Sequence, residues 1–284
     1  MGKSRDILTY AHQLCGPLDP RLEAVAERID GDARLTALLS EAEACEAEAF
    51  PGLAYLRETL GPLHMGFFVF LVLQKLPQTR SFYRAKGIST EIMYATLTDI
   101  SRNMEEYERL SGQFGIGGER YPWLYHHVEG RLFQLGRLQF MMHRMKTDTA
   151  FGEIVVHAGA KLLETHIPAG VPLTPEICSR SYQLAMSFFE KTFDFVAEGF
   201  LCESWLLSPE LREILPAQSN ISRFAEEYHC TAEPERDLSF IQYVYGMQEA
   251  DAGRLPEGSV LQRSLKQFLL DGGVFHAGFG VRPA

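Results

Sequence analysis

Two side chains that could move a proton, Glu164 and His166, lie two residues apart in a short apolar segment. The segment from Ala160 to Ile167 has the composition of a β-strand, and residues two apart in a strand project from the same face. A histidine that titrates near neutrality could accept a proton from an ammonium nucleophile, and the carboxylate could bind and deprotonate an amine directly or through water. A structural histidine that fixes the following Pro-Gly loop, and a solvated carboxylate at a sheet edge, are the alternatives.

The segment that follows His166 could bind a phosphate group. A helix begins there in the sequence, with Thr174 as its N-cap, Pro175 at its first position and Glu176 in its first turn. The unpaired amides and positive dipole end of a helix attract phosphate without a cationic side chain, and Gly170 allows close backbone approach. The candidate cofactor-binding residues of this segment are Ile167, Ala169, Gly170, Val171, Leu173, Thr174 and, further along the helix, Arg180. An ordinary strand-to-helix connection is the alternative, and the charge of Glu176 would oppose an anion.

Short strands separated by glycine, and later by helices, position these residues in the second half of the chain. The pattern predicts, in order, strands at Leu132 to Met142, Gly152 to His157 and Ala160 to Ile167, a helix from Thr174 to Lys191, a strand at Phe200 to Leu207, helices from Pro209 and from Ser219 to Tyr228, a strand at Leu238 to Tyr245, a helix from Ser259 to Leu270 and a strand at Val274 to Val281. Three strands in succession imply hairpins, and the later alternation implies crossovers onto a mixed sheet.

The first half of the chain is predicted to be helical almost throughout. Asp32 to Glu48 repeats Leu and Ala at three- and four-residue spacing, with Glu on the other face. The apolar segment from Phe67 to Leu76 is predicted to stop at Pro77, and Ser89 caps a further long helical segment. No strand pattern is present in this half.

Composition limits the class of protein. The formal net charge of −10 disfavours non-specific binding to nucleic acid or to an anionic membrane. The five cysteines are odd in number and lack CxxC spacing, which indicates free thiols in a reducing compartment. His126 and His127 would point apart in a helix or strand, and no third ligand is suitably spaced, so no metal site is predicted. The apolar run from Met65 to Leu73 is about half the length that spans a bilayer, and the N-terminus has no apolar signal core, so the cytoplasm is the predicted location.

Four stretches of the sequence carry a family resemblance: LGRLQF (Leu135 to Phe140), HIPAGVPL (His166 to Leu173), FLCESWLLSPEL (Phe200 to Leu211) and SNISRF (Ser219 to Phe224). With the order of the elements, they resemble bacterial acyltransferase-domain proteins that join a helical N-acyltransferase N-terminal domain to a C-terminal domain like the Gcn5-related N-acetyltransferases (GNAT). The resemblance covers nearly the whole chain. It implies an α+β protein with an all-helical domain at residues 1–120 and a GNAT-like mixed α/β domain at residues 121–284.

The resemblance implies transfer of an acyl group from acetyl-CoA or a longer acyl-CoA to an amine of a small molecule or peptide, by direct attack and without a metal. In the GNAT fold the loop after the third strand and the following helix N-terminus hold the pyrophosphate of acyl-CoA, and His166 would lie beside the reacting carbonyl. The usual acyl-CoA signature, (Gln/Arg)-x-x-Gly-x-(Gly/Ala), is absent from the loop. A non-catalytic GNAT-like module for CoA, another ligand or a partner is therefore the alternative, and a thioesterase-like hydrolase is a third possibility. No nucleic-acid or membrane partner is predicted, and the sequence indicates no oligomeric state.

The resemblance also implies roles for residues on later elements. Cys202 and Ser204 share one face of the strand after the predicted CoA-binding helix, where either could line the acyl cleft or protonate the departing thiolate. A buried thiol is the alternative for Cys202, since no activating base is near it in sequence. Asn220 and Arg223 begin the helix of the SNISRF stretch, where Arg223 could reach an adenosine phosphate and the polar residues could simply cap the helix. Tyr243, on the predicted late strand, could act as a general acid toward the thiolate.

Overall fold

The computed structural model of the chain describes residues 3–41, 47–117, 120–247 and 251–284. The chain divides into two compact units, residues 1–134 and residues 135–284. The first is helical and the second is built on a mixed sheet, which confirms the predicted α+β class. Part of the predicted helix from Asp32 to Glu48, including Cys45, lies outside the described residues.

The first unit consists of helices, as the sequence predicts. They are α1 (Lys3–Leu14), α2 (Arg21–Gly31), α3 (Ala33–Glu41), α4 (Leu53–Leu60), α5 (Gly66–Leu73), α6 (Leu76–Ala85), α7 (Thr90–Leu97), α8 (Asp99–Ser111) and α9 (Arg120–Val128). Ser89 caps α7, because its side-chain oxygen accepts a hydrogen bond from the amide of Ile92. Two predicted boundaries differ. Pro77 does not end a helix but lies in the first turn of α6, where its missing amide costs nothing, and the long segment capped by Ser89 is the two helices α7 and α8.

Helix α5 forms the centre of the first unit, because every one of its residues is buried. Phe67 and Phe68 contact each other with ring centroids 6.2 Å apart, and Phe68 also packs on Tyr121 at 5.0 Å. Burial of each such ring stabilises the fold by roughly 1.5–3 kcal/mol. Across the described ranges, no single helix is long and apolar enough to cross a membrane. One pair of helical segments, Leu53–Leu63 and Gly66–Ala85, has the length and composition of a membrane span when taken together, but the two are bent by 106°.

The second unit is a mixed sheet with helices. Its elements are β1 (Leu132–Leu135), which spans the limit between the units, β2 (Leu138–Arg144), β3 (Thr149–Phe151), β4 (Ile154–Val156), β5 (Lys161–His166), α10 (Pro175–Phe193), β6 (Gly199–Ser204), α11 (Pro209–Ile214), α12 (Asn220–Glu226), β7 (His229–Arg236), α13 (Val260–Leu270) and β8 (His276–Pro283). Six strands form one sheet in the order β1-β2-β5-β6-β8-β7, and β3 with β4 forms a separate hairpin. The pair β5–β6 is parallel and is connected through α10, whereas β2–β5, β6–β8 and β7–β8 are antiparallel. Hairpins followed by a helical crossover are the predicted arrangement.

Two predicted strands are shorter than expected. The single strand predicted at Leu132 to Met142 is the β1–β2 hairpin, which turns at Gly136 with a φ of 73°, a conformation that glycine adopts without strain. The strand predicted at Phe200 to Leu207 ends at Ser204 and continues as a turn of 3-10 helix, Trp205–Leu207.

The strand predicted at Leu238 to Tyr245 is wrong. This segment contains the π-helix Ile241–Tyr245, and its apolar side chains pack among α11, α13 and the start of β8. The sequence also gave no sign of β7, whose residues HCTAEPER include charges and a proline.

The two faces of the central sheet are packed differently. Phe140 of β2 and Phe200 of β6 share the face on which α10 places Tyr182, with Tyr182 and Phe200 ring centroids 4.6 Å apart. The alternate residues Leu162 and Leu201 point to the other face, where the β3–β4 hairpin covers them. The sheet is therefore buried on both faces along most of its central strands.

Candidate active site

The candidate site lies where β5 and β6 separate. Their parallel pairing covers three residue pairs and ends at Glu164 opposite Leu201. Beyond that point β5 stays paired with β2, which places Gln139 opposite His166, and β6 stays paired with β8 as far as Ser204. The sheet therefore opens between the carboxyl ends of two parallel strands, which is where open α/β sheets bind ligands.

Glu164 and His166 come together beside this opening, and β2 adds His143. Glu164 Oε1 lies 3.2 Å from His166 Nε2, and Glu164 Oε2 lies 3.3 Å from His143 Nδ1. The side chains of Glu164 and His166 are 25% and 24% exposed, so solvent reaches both. The shared strand face was predicted from their spacing, but His143 was missed, because the sequence does not show which residues of β2 lie opposite β5.

The two histidines hold Glu164 as a carboxylate. Burial opposes its charged form, but the contacts with His166 and His143 outweigh burial and lower the pKa of the carboxyl group below its usual value. The Glu164 carboxylate lies close enough to the His166 ring to stabilise a positive charge on it.

The loop after His166 presents backbone amides to solvent. Ala169, Gly170 and Val171 are exposed, and Leu173 is buried and anchors the end of the loop. Gly170 has a φ of 151°, outside the usual range of other residues. In the part of the chain that the structure describes, the amides of residues 169–171 donate no hydrogen bond. They are therefore available to an anionic ligand.

A guanidinium group from the β1–β2 turn holds this loop. Arg137 Nη1 donates to the carbonyl oxygen of Pro168 at 2.7 Å, and its Nε donates to that of Val171 at 2.6 Å. The amide of Arg137 donates to Ser181 Oγ on α10 at 2.8 Å. Gly136 lies so close to α10 that a Cβ atom there would be 2.7 Å from the Ser181 hydroxyl. Arg137 was not predicted as a site residue, because the segment around it was interpreted as one uninterrupted strand.

The N-terminus of α10 carries charge of both signs. Thr174 has the extended conformation of an N-cap, but its hydroxyl accepts no hydrogen bond from the helix amides. The pKa of the Glu176 carboxyl group is lowered by hydrogen bonds from the amide of Glu176 itself and from the Thr174 side chain, and then by the charge of Arg223. Arg223 therefore lies near this helix end although it belongs to α12. Arg180 and Arg223 are both exposed.

Three predicted residues have partners or surroundings that favour structural roles. Ser219 caps α12 by accepting a hydrogen bond from the amide of Ser222, and Asn220 is the first residue of that helix. Cys202 is fully buried, and burial raises the pKa of its thiol. The Ser204 hydroxyl accepts a hydrogen bond from the amide of Leu206, in the 3-10 turn after β6.

Tyr243 lies on the π-helix rather than on a strand. Its ring stacks on Trp205, with centroids 6.5 Å apart and planes 10° from parallel, and the residue is 55% exposed. Because Trp205 directly follows β6, this aromatic pair lies just past the open end of that strand.

A pair of buried tyrosines on the opposite sheet face was also missed. The hydroxyl groups of Tyr182 on α10 and Tyr228 before β7 are 2.8 Å apart. Burial raises the pKa of both phenols well above the usual value. This face therefore presents neutral hydroxyl groups.

Among the described residues, no group of three or more His, Cys, Asp or Glu side chains is arranged to hold a metal ion. In the first unit, His127 Nε2 lies 3.0 Å from Asp99 Oδ2, and the rings of both His126 and His127 pack against Trp123.

Comparison with protein families identifies the class of protein. The family model for a GNAT-like C-terminal domain matches residues 132–282, more than half of the chain, and the model for an N-acyltransferase N-terminal domain matches residues 13–130. The chain belongs to the family of acyltransferase-domain proteins that combine these two domains. The resemblance seen in the sequence is confirmed.

Solved structures of an acyltransferase are similar to the whole chain. One in complex with decanoyl-CoA and teicoplanin is 25% identical, with a TM-score of 0.75 over 99% of this chain and 87% of that chain. A mutant in complex with octanoyl-CoA is 26% identical, with a TM-score of 0.76 and the same coverage. A complex with CoA and 10C-teicoplanin is 26% identical, with a TM-score of 0.74 and again the same coverage. Among curated proteins no match was found. The chain thus has an acyltransferase fold whose solved neighbours bind acyl-CoA.

Proposed function

We propose that the chain transfers an acyl group from acyl-CoA to a primary amine of a small-molecule or peptide acceptor. The observation that carries the proposal is the opening between β5 and β6, with Glu164 and His166 beside it and exposed amides in the loop that follows. Solved neighbours with this fold bind decanoyl-CoA and octanoyl-CoA, which supports a thioester as the ligand of the opening.

The loop and the first turn of α10 would receive the pyrophosphate of CoA. Helix α10 is 19 residues long, so its N-terminal amides carry the partial positive charge of a full helix dipole. Glu176 opposes an anion at this position, and the nearby charge of Arg223 offsets it. The pantetheine arm would then enter the opening, where backbone groups of β5 and β6 that no longer pair with each other can bond to its amides.

Direct transfer requires a base for the incoming amine. The amine nitrogen attacks the carbonyl carbon of the thioester, and the C–S bond breaks as the C–N bond forms. The imidazole ring of His166 accepts the amine proton, directly or through a water molecule, and Glu164 stabilises the imidazolium ion. A backbone amide beside the opening polarises the carbonyl group. With a neutral amine, the departing thiolate takes up the one proton that leaves the nitrogen, through His166, so protons balance. An acceptor that arrives as an ammonium ion first releases one further proton to solvent.

The acceptor is an amine that the acidic protein attracts. The net charge of −10 favours approach of a positively charged acceptor over an anionic one. Two of the solved neighbours hold teicoplanin or a teicoplanin derivative, so a glycopeptide amine is the first acceptor to test.

Two measurements test the proposal together. Calorimetric titration with CoA, acetyl-CoA, octanoyl-CoA and decanoyl-CoA measures binding, and release of free thiol measures turnover with a panel of amines. We expect thiol release only when acyl-CoA and a free amine are both present. The matched control is the same acceptor with its amine already acetylated, which should give no release.

Other outcomes would contradict the proposal in distinct ways. Binding of acyl-CoA without thiol release across the panel would indicate a non-catalytic binding module. Thiol release without any amine would indicate a thioesterase. If no CoA compound binds, both the transferase hypothesis and the binding-module hypothesis are refuted.

A further inference from the structure

We propose that Arg137 is a positioning residue for the CoA pyrophosphate, holding the 168–171 loop so that its amides face the ligand. The inference rests on the proposed function, because it assigns the residue that shapes that binding site. Arg137 makes no contact with the reacting atoms in this scheme. It acts through the loop.

The guanidinium group holds the loop at two points. Nη1 is bonded to the carbonyl oxygen of Pro168 at 2.7 Å and Nε to that of Val171 at 2.6 Å, so the residues between these points are bracketed. Two donors on one planar group fix both carbonyl groups in a set relative position, whereas the rotating donors of an ammonium group on a flexible stem do not.

Peptide geometry converts the direction of these carbonyl groups into the direction of the amides. The C=O and N–H groups of a trans peptide point in opposite directions, and the chain has no cis peptide bond among its described residues. Because the Pro168 carbonyl points toward Arg137, the amide of Ala169 points away from it, toward solvent. The Val171 carbonyl belongs to the peptide bond with Pro172, and proline has no amide hydrogen. The bond from Arg137 to this carbonyl therefore does not affect the direction of any backbone N–H group. The amides of residues 169–171 are left for a ligand.

The backbone of Arg137 fixes the clamp to the helix. Its amide is bonded to Ser181 Oγ on α10, and Ser181 in turn donates to the carbonyl oxygen of Ile177. The clamp therefore connects the loop amides to the helix whose N-terminus would receive the same anion. The charge of Arg137 also reaches this helix. Burial raises the pKa of the Cys178 thiol on α10 to about 11, and the positive charge of Arg137 lowers it in part.

The test compares ligands with and without a pyrophosphate. The variants are Arg137→Gln, which removes the charge and the fork, and Arg137→Lys, which keeps the charge. Calorimetry measures Kd for octanoyl-CoA and for S-octanoyl pantetheine, which has no pyrophosphate. We expect Arg137→Gln to raise Kd for octanoyl-CoA about tenfold or more, as expected for lost charge-assisted bonds, and to leave Kd for the pantetheine thioester unchanged. Arg137→Lys should recover only a small part of the loss.

A matched control is Arg263→Gln, since Arg263 also donates to a backbone carbonyl, that of Glu257, in another loop of the same unit. It should leave both Kd values unchanged. Equal losses for both thioesters in Arg137→Gln would show a general structural role and overturn the proposal. So would full recovery in Arg137→Lys, or a wild-type Kd that is the same for both thioesters. If Arg137→Gln does not fold, the ratio of the two Kd values in Arg137→Lys decides. Failure of the wild-type protein to bind octanoyl-CoA would instead refute the proposed function.

Discussion

The contact between His166 and Glu164 leads to a prediction about how their substitutions combine. If His166 is the base and Glu164 acts only by stabilising its imidazolium form, the two residues work as one unit. Removing the ring should then make the carboxylate irrelevant. The variants His166→Ala and Glu164→Gln, and the double variant, form a cycle that measures this dependence.

The expected magnitudes follow from the chemistry and from the distance. Loss of a general base lowers kcat by roughly 10²–10⁴-fold, and about 10²-fold, the lower end of this range, is expected for His166→Ala. Unit charges 3.2 Å apart attract by about 1.3 kcal/mol even at the dielectric constant of water, so Glu164→Gln should cost about tenfold. Independent residues would give about 10³-fold for the double variant, whereas one unit gives about 10²-fold.

The assay is thiol release at saturating acyl-CoA with the amine that gives the highest turnover. His157→Ala with Asp148→Asn provides the matched control, because His157 Nδ1 is also 3.2 Å from a carboxylate oxygen of Asp148, on the exposed β3–β4 hairpin. All three control variants should keep wild-type kcat. Unchanged kcat in His166→Ala would remove this residue from the mechanism, and a double variant near 10³-fold would show that the two residues act separately.

Three further predictions concern stability. Tyr182→Phe removes a buried hydroxyl bond of 2.8 Å and should lower the free energy of unfolding by about 1–2 kcal/mol in urea titration; no change would mean that the bond contributes nothing. Gly278→Ala should cost about 1–3 kcal/mol, because its Cβ atom would lie 2.2 Å from the carbonyl oxygen of Leu207, whereas Gly31→Ala, with open space around it, should cost nothing. Because the pKa of Glu164 is lowered in the folded state, its ionised carboxylate stabilises the fold above the unfolded-state pKa of about 4.3, and this stabilisation is lost as pH falls below that value. The unfolding free energies of wild type and Glu164→Gln should therefore converge at acid pH. A difference that stays constant with pH would contradict this.

The order of strands and helices around the candidate site was accessible from the sequence because local signals mark it. The Thr174-Pro175 start of α10 and the Ser259 capping box of α13 are determined by residues a few positions apart, and both helices begin there. The face shared by Glu164 and His166 follows from strand periodicity alone. Pairing across the sheet does not have such a signal. His143 meets Glu164 only because β2 and β5 adopt one particular register.

The wrong strand at Leu238 to Tyr245 has a similar cause. Apolar residues alternate with polar ones there as in a half-buried strand, but Phe240 and Ile241 are both buried in the cluster around Leu265 and Phe275. Adjacent residues can be buried together when a helical segment lies on a concave apolar surface. Packing against elements distant in sequence determines the secondary structure of this segment, and the local sequence pattern does not contain that information.

The loop after His166 shows why a missing signature need not mean a missing site. A glycine-rich loop exposes amides because glycine removes steric barriers, but an anion responds only to where the N–H groups point. Here two prolines restrict the backbone, one glycine at position 170 permits the turn, and Arg137 fixes the carbonyl groups at both ends. The same exposed amides are obtained by rigidity and a distant side chain instead of by glycine. For this reason the absent motif does not weigh against a phosphate site, whereas loss of the Arg137 contacts would.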